Sequence, residues 1–275
     1  MGERRGKMKI ITLMEDTVGK EGALAEHGLC LYIETKYHKL LVDTGQSELT
    51  WENAKRLGVD LSKIDTIVIS HGHYDHTGGL ISYAKSFGHA DIYMQKKGAG
   101  YYYHGDRYIG INRQVLTLPK LHLIEGDYVI DEELEVFSDI TGRKYWPKSN
   151  LELSEKVEGR ELQDHFQHEQ CLVVKNGNEK ILVSGCAHNG ILNILERFET
   201  IYHTHPDKVI SGFHMMKKTG YTEEEKEIIR NTAKQLQTYP TVFYTGHCTG
   251  REAFEMMKEV MGDQLFWIHS GDRIV

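Results

Sequence analysis

The chain has 275 residues, of which 40% are hydrophobic and 27% charged, and its formal net charge at pH 7 is −7. This length allows one large or two small domains with a substantial core. The composition is typical of a soluble globular protein, and the negative charge argues against nucleic-acid binding, which needs a basic face. No apolar run approaches the roughly 18 residues that span a bilayer. We therefore expect neither a nucleic-acid nor a membrane partner, and the sequence indicates no oligomeric state.

The N-terminal segment and the cysteines bear on the compartment. The segment MGERRGKMKIITLM is basic, but its apolar stretch is short and no small-residue cleavage site follows, which argues against a signal peptide. The four cysteines show no C-x-x-C pairing and lie in or beside apolar runs, as buried free thiols do: Cys30, Cys171, Cys186 and Cys248. We therefore predict a cytoplasmic protein.

In chain order, the first ninety residues alternate between predicted strands and helices. Apolar content and alternation predict strands over 9–14, 30–34, 39–42, 64–70 and 91–94. Helical spacing predicts helices over 47–57 and 80–87, and a glycine follows each of them.

The pattern becomes irregular between residues 95 and 164. Aromatic side chains stand among polar ones, and strand-like pieces occur only at 121–124 and 134–138. Long irregular segments near a site usually form a lid or a substrate wall, so we predict one domain over 1–275 with an insertion of this kind. The tyrosine cluster centred on Tyr102 either stacks on a heterocyclic substrate or packs the core of the insertion.

The C-terminal half returns to a regular order. Strands over 170–175 and 180–184 flank the hairpin sequence NGNE. Helices over 189–202, 222–237 and 251–260 then alternate with strands over 208–212, 241–246 and 265–269, and Thr222 with Glu225 forms a predicted capping box. Two β-rich halves, each followed by helices, indicate an α/β fold with two sheets and outer helices.

The strongest chemical signal is the sequence HGHYDHTGGL, which begins at His71 between a strand and a helix. His71 and His73 are two residues apart and point the same way, so both imidazoles can bind one ion. Asp75 and His76 can turn towards a second ion close by. Imidazole and carboxylate ligands suit zinc, iron or manganese. A histidine-rich surface turn is the alternative, which the strand, loop and glycines disfavour.

These residues resemble the H-x-H-x-D-H signature of the metallo-β-lactamase superfamily. Three further segments resemble its other motifs in the same order and at strand ends: LLVDTG over 40–45, VSGCAH over 183–188 and YTGHCTG over 244–250. The resemblance implies an αββα four-layer sandwich, in which two mixed β-sheets carry helices on their outer faces.

The same resemblance implies two divalent metal ions, of which Zn2+ is favoured over Fe or Mn. The implied ligands are His71, His73 and His188 for the first ion, and Asp75, His76 and His247 for the second. The chain departs from the superfamily pattern at two places. Gly185-Cys186 stands where a Gly-Asp pair usually supplies a bridging aspartate, and the usual third-motif histidine would fall within 164–170. Cys186, His165 and His168 therefore remain alternative ligands.

Two aspartates are the predicted catalytic residues. Asp75 can take or return a proton, and Asp43 orients a ligand histidine or the metal loop. Three further residues are candidate substrate contacts: His27 at the end of a glycine-rich loop, His214 at a strand end, and Tyr102.

The resemblance implies a dinuclear metal-dependent hydrolase that uses a metal-bound hydroxide on a small, phosphorylated or ester-bearing substrate. Segments such as GCAHNGILNIL and GHCTG also resemble the branch that includes 7,8-dihydropterin-6-yl-methyl-4-(β-D-ribofuranosyl)aminobenzene 5'-phosphate synthase. That branch would imply a transferase that releases diphosphate from a pterin. The departures at the third and bridging motifs also fit a third function, that of a non-catalytic metal-binding or ligand-binding sensor.

Overall fold

The computed structural model describes residues 8–275. Residues 1–7, which supply most of the basic segment used in the localisation prediction, lie outside the described residues. Within 8–275, no helix combines the length and the apolar character that crossing a membrane requires.

Strands and helices occur close to their predicted positions, with boundaries shifted by a few residues. The strands are β1 (Lys9–Met14), β2 (Cys30–Glu34), β3 (Lys39–Val42), β4 (Thr66–Val68), β5 (Asp91–Gln95), β6 (Tyr102–His104), β7 (Arg107–Tyr108), β8 (Leu121–Ile124), β9 (Tyr128–Val129), β10 (Leu134–Phe137), β11 (Leu153–Val157), β12 (Arg160–Gln163), β13 (Cys171–Asn176), β14 (Glu179–Val183), β15 (Lys208–Ile210), β16 (Val242–Thr245) and β17 (Leu265–Trp267). The helices are α1 (Leu49–Arg56), α2 (Tyr74–Thr77), α3 (Leu80–Ser86), α4 (Ile191–Tyr202), α5 (Glu223–Gln237) and α6 (Arg251–Met261). The predicted capping box at the start of α5 is confirmed.

Two mixed sheets form the centre of the fold, as predicted. The first has the strand order β1-β2-β3-β4-β5-β8, antiparallel from β1 to β3 and parallel from β3 to β8. The second has the order β17-β16-β15-β14-β13-β10-β9, parallel from β17 to β14 and antiparallel beyond. Each sheet therefore contains a parallel region whose strands end together.

Both sheets are buried on both faces, which produces four layers. Along β4, Ile67 packs with residues of α1 and α3 on the outer face, whereas Val68 packs with the second sheet. On the far side, α4, α5 and α6 cover the second sheet through Phe198, Ile229 and Met257. Because side chains alternate across a strand, a continuous apolar run supplies both layers at once. The arrangement is the predicted αββα sandwich.

The stretch over 95–164 contributes strands to three sheets. It adds β8 to the first sheet and both β9 and β10 to the second, and it builds all four strands of a third sheet with the order β12-β11-β6-β7. Nothing in the sequence analysis predicts this third sheet. Beside it, the Tyr74 N–H donates to the Ile109 carbonyl over 2.8 Å, so this part of the chain contacts the histidine motif. Its role as a lid stays a prediction.

The parallel strands bring the predicted site residues to one edge of the sandwich. Val42 pairs with Val68 in the first sheet, and Val183, Ile210 and Tyr244 are in register in the second. The segments that follow these strands therefore begin at the same edge of each sheet. The carboxyl ends of parallel strands are where α/β folds bind ligands.

A histidine outside the histidine motif links the two sheets. His38, in the β2–β3 turn, has its Nδ1 2.7 Å from Asp65 Oδ1 and its Nε2 2.5 Å from Asp131 Oδ2, in the β9–β10 turn. Burial lowers the pKa of His38, but the two carboxylates together outweigh it and the pKa is raised. The charged imidazolium is therefore the form that holds the two turns together.

We expect this contact to stabilise the fold below about pH 6.5, the ordinary histidine pKa, and to be lost as pH rises through the raised pKa of the folded state. His38→Gln should lower the free energy of unfolding by about 0.5–1 kcal/mol at pH 6, since the pair is partly exposed, and by less at pH 8.5. Urea unfolding at both pH values measures the difference.

His122→Gln is the matched control, because His122 lies on the same sheet with one carboxylate partner, Asp91, at the surface. An equal loss at both pH values in the His38 variant would contradict the electrostatic explanation.

Candidate metal centre

The residues of the histidine motif meet the ends of β14 and β16 in a buried cluster. Most of the predicted ligands lie here, and each is at most 7% exposed: His71, His73, Asp75, His76, Cys186, His188 and His247. A Cβ on Gly185 would lie 2.1 Å from Ser70 Oγ. Because no side chain fits there, the glycine lets the loops from the two sheets approach each other.

Asp43 holds two of the histidines through one carboxylate. It accepts hydrogen bonds from the Ser70 N–H and from the Ser70 hydroxyl, each over 2.7 Å, and from His76 Nδ1 over 2.7 Å. Since the Ser70 hydroxyl donates to Asp43, it accepts from His71 Nδ1, which lies 2.8 Å away. His71 therefore keeps an unprotonated Nε2 towards the centre of the cluster. Burial lowers the pKa of His76, but the carboxylates of Asp43 and Asp75 outweigh it and the pKa is raised.

His188 presents its free nitrogen directly to His71. The Asn150 side chain accepts from His188 Nδ1 over 3.0 Å and donates to the His188 carbonyl over 2.7 Å. This fixes the tautomer, so the Nε2 atoms of His188 and His71, 3.3 Å apart, both carry lone pairs. Two lone pairs repel at this distance unless a cation lies close to both. Burial, followed by the neighbouring histidines, lowers the pKa of both rings well below the ordinary value.

His73 completes this side of the cluster. Its Nε2 is buried without a hydrogen-bond partner, and its ring centre lies 4.9 Å from that of His188 and 4.5 Å from that of His71. Burial lowers the pKa of His73 to about 3. The ring is therefore neutral, and a buried nitrogen without a hydrogen-bond partner fits a metal ligand.

Three imidazoles surround one oxygen of Asp75 on the other side. Asp75 Oδ2 lies 3.3 Å from His247 Nε2, 3.4 Å from His27 Nε2 and 3.5 Å from His76 Nε2. Burial raises the pKa of Asp75, but the histidines outweigh it and hold the pKa well below its ordinary value. Asp16 accepts from the Nδ1 atoms of His247 and His27 over 2.6 and 2.9 Å, which turns both Nε2 atoms towards Asp75.

Cys186 lies between the two halves. Its sulfur groups with His71 and His188 on one side and with His76 and His247 on the other, with the ligand atoms of each group within 4.8 Å of one another. The distance from Cys186 Sγ to His76 Nε2 is 3.2 Å. Cys186 and His188 are therefore both present, although the sequence analysis treats them as alternatives.

The other two alternative ligands, His165 and His168, are not directed towards the centre of the cluster. His165 is exposed. His168 is buried, but its Nδ1 accepts from the Gly72 N–H over 3.0 Å and its Nε2 donates to Asp164 over 3.1 Å. Both of its nitrogens are thus engaged, although its ring lies close to that of His73.

The candidate substrate residues are distributed around the cluster. His27 has a 40% exposed side chain at its open edge, and the His214 ring lies 4.1 Å from that of His188. Tyr102 is buried, with its ring 4.0 Å from that of His168 and its hydroxyl donating to the Lys97 carbonyl. This position favours the packing role over stacking on a substrate.

Several functional contacts have no counterpart in the sequence analysis. Asn150 accepts from His188 Nδ1 and Asp16 accepts from His247 Nδ1, and Glu169 accepts from the backbone N–H groups of His188 and Asn189 over 2.7 and 2.9 Å. Asp16 follows a strand end, a signal that could have pointed to it. Asn150 carries no spacing signal of any kind.

Two curated relatives match nearly the whole chain. One is an uncharacterised protein, MJ0448, of Methanocaldococcus jannaschii, 28% identical over 91% of this chain and 94% of its own length. The other, from the same organism, is named 7,8-dihydropterin-6-methyl-4-(beta-D-ribofuranosyl)-aminobenzene-5'-phosphate synthase and is 28% identical over 96% of this chain and 95% of its own.

Solved structures and a family model agree on the fold. Tm1679, described as a metal-dependent hydrolase of the beta-lactamase superfamily, superposes with a TM-score of 0.82 at 27% identity, covering 98% of both chains. The metallo-beta-lactamase fold protein YhfI of Bacillus subtilis superposes with a TM-score of 0.58 at 15% identity, covering 97% of this chain and 98% of its own, which supports the fold alone. The model of the metallo-beta-lactamase superfamily matches residues 24–230. This chain therefore belongs to the metallo-beta-lactamase superfamily.

Proposed function

We propose that the chain is a dinuclear metal-dependent hydrolase that acts on a small ester or phosphoester. The observation that carries this proposal is the pair of unprotonated Nε2 atoms of His71 and His188, 3.3 Å apart, in a buried cluster. The Ser70 hydroxyl and the Asn150 amide fix the two tautomers, so a cation close to both nitrogens would stabilise the arrangement.

The donor set divides into two positions. His71, His73 and His188 would hold one ion, and the carboxylate of Asp75 with two imidazoles would hold the other: His76 and His247. The Cys186 sulfur groups with His71 and His188 and also with His76 and His247, so it would be the ligand that replaces the aspartate usual in the superfamily. Imidazole and thiolate ligands favour Zn2+ over Mn2+.

Divalent ions in such a centre lower the pKa of water and stabilise negative charge that develops on an oxygen. The protein supplies the positioning. Asp43 acts through His76 and Ser70, since its carboxylate is fully buried and already accepts from both. His27 stands at the open edge between Asp16 and Asp75, where an arriving substrate would meet its ring.

Removing one ligand from each half should remove about one ion. We expect about two divalent ions per chain in the wild type, and about one in His73→Ala and in His247→Ala, by elemental mass spectrometry. Turnover of p-nitrophenyl esters and phosphodiesters should fall on the order of 100-fold or more, since charge stabilisation at the reacting oxygen is lost.

His122→Ala, at an exposed position remote from the cluster, is the control and should keep both metal content and turnover. Full metal content and full turnover in both ligand variants would exclude the proposal. Two tightly held ions without turnover of any ester or phosphoester would favour the sensor function instead.

Asn150→Ala should weaken the first ion without removing a ligand. The amide holds the His188 ring by its Nδ1 and by its carbonyl, and loss of such a contact typically costs about 10–100-fold in metal affinity. Competition with a chromophoric zinc chelator measures the change.

Asn193→Ala is the matched control, since Asn193 is buried, bonds only to backbone groups and lies one turn beyond the loop. Equal losses in the two variants would indicate general destabilisation of the loop and contradict the tautomer argument.

The full-length match to a relative named as a synthase favours a second candidate function. In that reaction the chain would transfer a pterin and release diphosphate, which the ions would clamp. Incubation with hydroxymethyl-dihydropterin diphosphate and the ribosyl-aminobenzene phosphate tests it. Diphosphate release that stops in His73→Ala would support the transferase, and no release would exclude it.

A further inference from the structure

Two cysteines follow the strands on either side of β15, in the parallel region of the second sheet. Cys186 follows β14 and Cys248 follows β16, and β15 lies between these strands. A Cβ on Gly212, just beyond β15, would lie 2.4 Å from Cys248 Sγ and 3.6 Å from Cys186 Cα. Because Gly212 has no side chain, the Cys248 sulfur extends over the segment that follows β15, towards Cys186.

The two sulfurs are within reach of each other. Together with a His214 nitrogen they all lie within 4.8 Å, and Cys248 Sγ is 3.6 Å from the Cys186 carbonyl. Both cysteines are buried and free. A disulfide needs a sulfur separation of about 2.05 Å, so the two side chains would have to rotate towards each other. The proposed hydrolase uses Cys186 but gives Cys248 no role.

We propose that Cys186 and Cys248 form a reversible oxidation site that hydrogen peroxide converts to a disulfide. The Cys248 sulfur attacks one peroxide oxygen, the O–O bond breaks, and the products are a sulfenic acid and water. The Cys186 sulfur then attacks the sulfenic sulfur, the S–O bond breaks, and the hydroxyl leaves as a second water with the Cys186 proton. Two thiols are oxidised and one peroxide is reduced to two waters.

The disulfide would act on the metal centre. Cys186 is the one sulfur common to both ligand groups, and a disulfide sulfur carries no negative charge with which to bridge two cations. This consequence rests on the proposed function, whereas formation of the disulfide does not. Conversely, Cys186 would be less open to oxidation if it were a zinc ligand.

The test uses the full chain, metal-free and zinc-loaded, with hydrogen peroxide as the probe. After peroxide treatment and alkylation in denaturant, the metal-free protein should show two of its four thiols lost. Peptide mapping without reduction should join the peptide of Cys186 to that of Cys248. Dithiothreitol should restore four thiols and the original zinc stoichiometry, and the zinc-loaded protein should react more slowly.

Cys248→Ser should lose the cross-link and the dithiothreitol-reversible loss of zinc binding, with Cys248→Ala as the second variant if the serine protein does not fold. Cys171→Ser is the control, since Cys171 is buried in the second sheet away from this pair, and it should behave as the wild type.

A missing 186–248 cross-link, or a reversible zinc loss that persists in the Cys248 variants, would overturn the oxidation site. A cross-link in a wild-type protein that binds no zinc when reduced would support the oxidation site and count against the dinuclear centre. The two proposals can therefore fail separately.

Discussion

The candidate centre depends on the carboxylate of Asp43. It is fully buried, and an isolated charge in that place would be costly. Three donors offset the cost, namely the Ser70 N–H, the Ser70 hydroxyl and His76 Nδ1. The same three contacts hold His76 directly and His71 through the hydroxyl. A single buried charge at the end of β3 thus orients one imidazole in each half of the cluster.

Buried acidic side chains also hold the strained backbone at two of the strand ends that meet in the cluster. Asp43, Ala187, His214 and His247 all have φ between 47° and 60°, a left-handed conformation that costs roughly 1–2 kcal/mol for a residue with a side chain. Each follows a parallel strand. Glu169 accepts from the backbone just after Ala187, and Glu15 accepts from the His247 N–H over 2.6 Å. Strain of this kind persists where surrounding contacts compensate for it, as they do at functional sites.

Much of this centre is predictable because its ligands lie in short motifs at strand ends. The histidine motif is contiguous, and the apolar runs that precede each motif indicate buried parallel strands, so both the sandwich and the meeting of the motifs follow. The contacts of Asn150 do not follow, because an amide that reaches a histidine 38 positions away has no local pattern. The third sheet is equally difficult to predict from the sequence, because β6 and β7 contain only three and two residues and show no alternation of apolar and polar side chains.

The choice between Cys186 and His188 shows why spacing alone leaves a ligand set open. Both residues follow β14 two positions apart, and either could replace the usual aspartate in a linear pattern. The left-handed turn at Ala187 sends His188 towards His71 and leaves the Cys186 sulfur beside His76. His188 therefore lies on one side of the cluster, and the Cys186 sulfur lies in the central place between its two halves. A sulfur ligand in the central place would favour softer ions than a carboxylate would, and under the oxidation proposal it would make metal binding sensitive to peroxide.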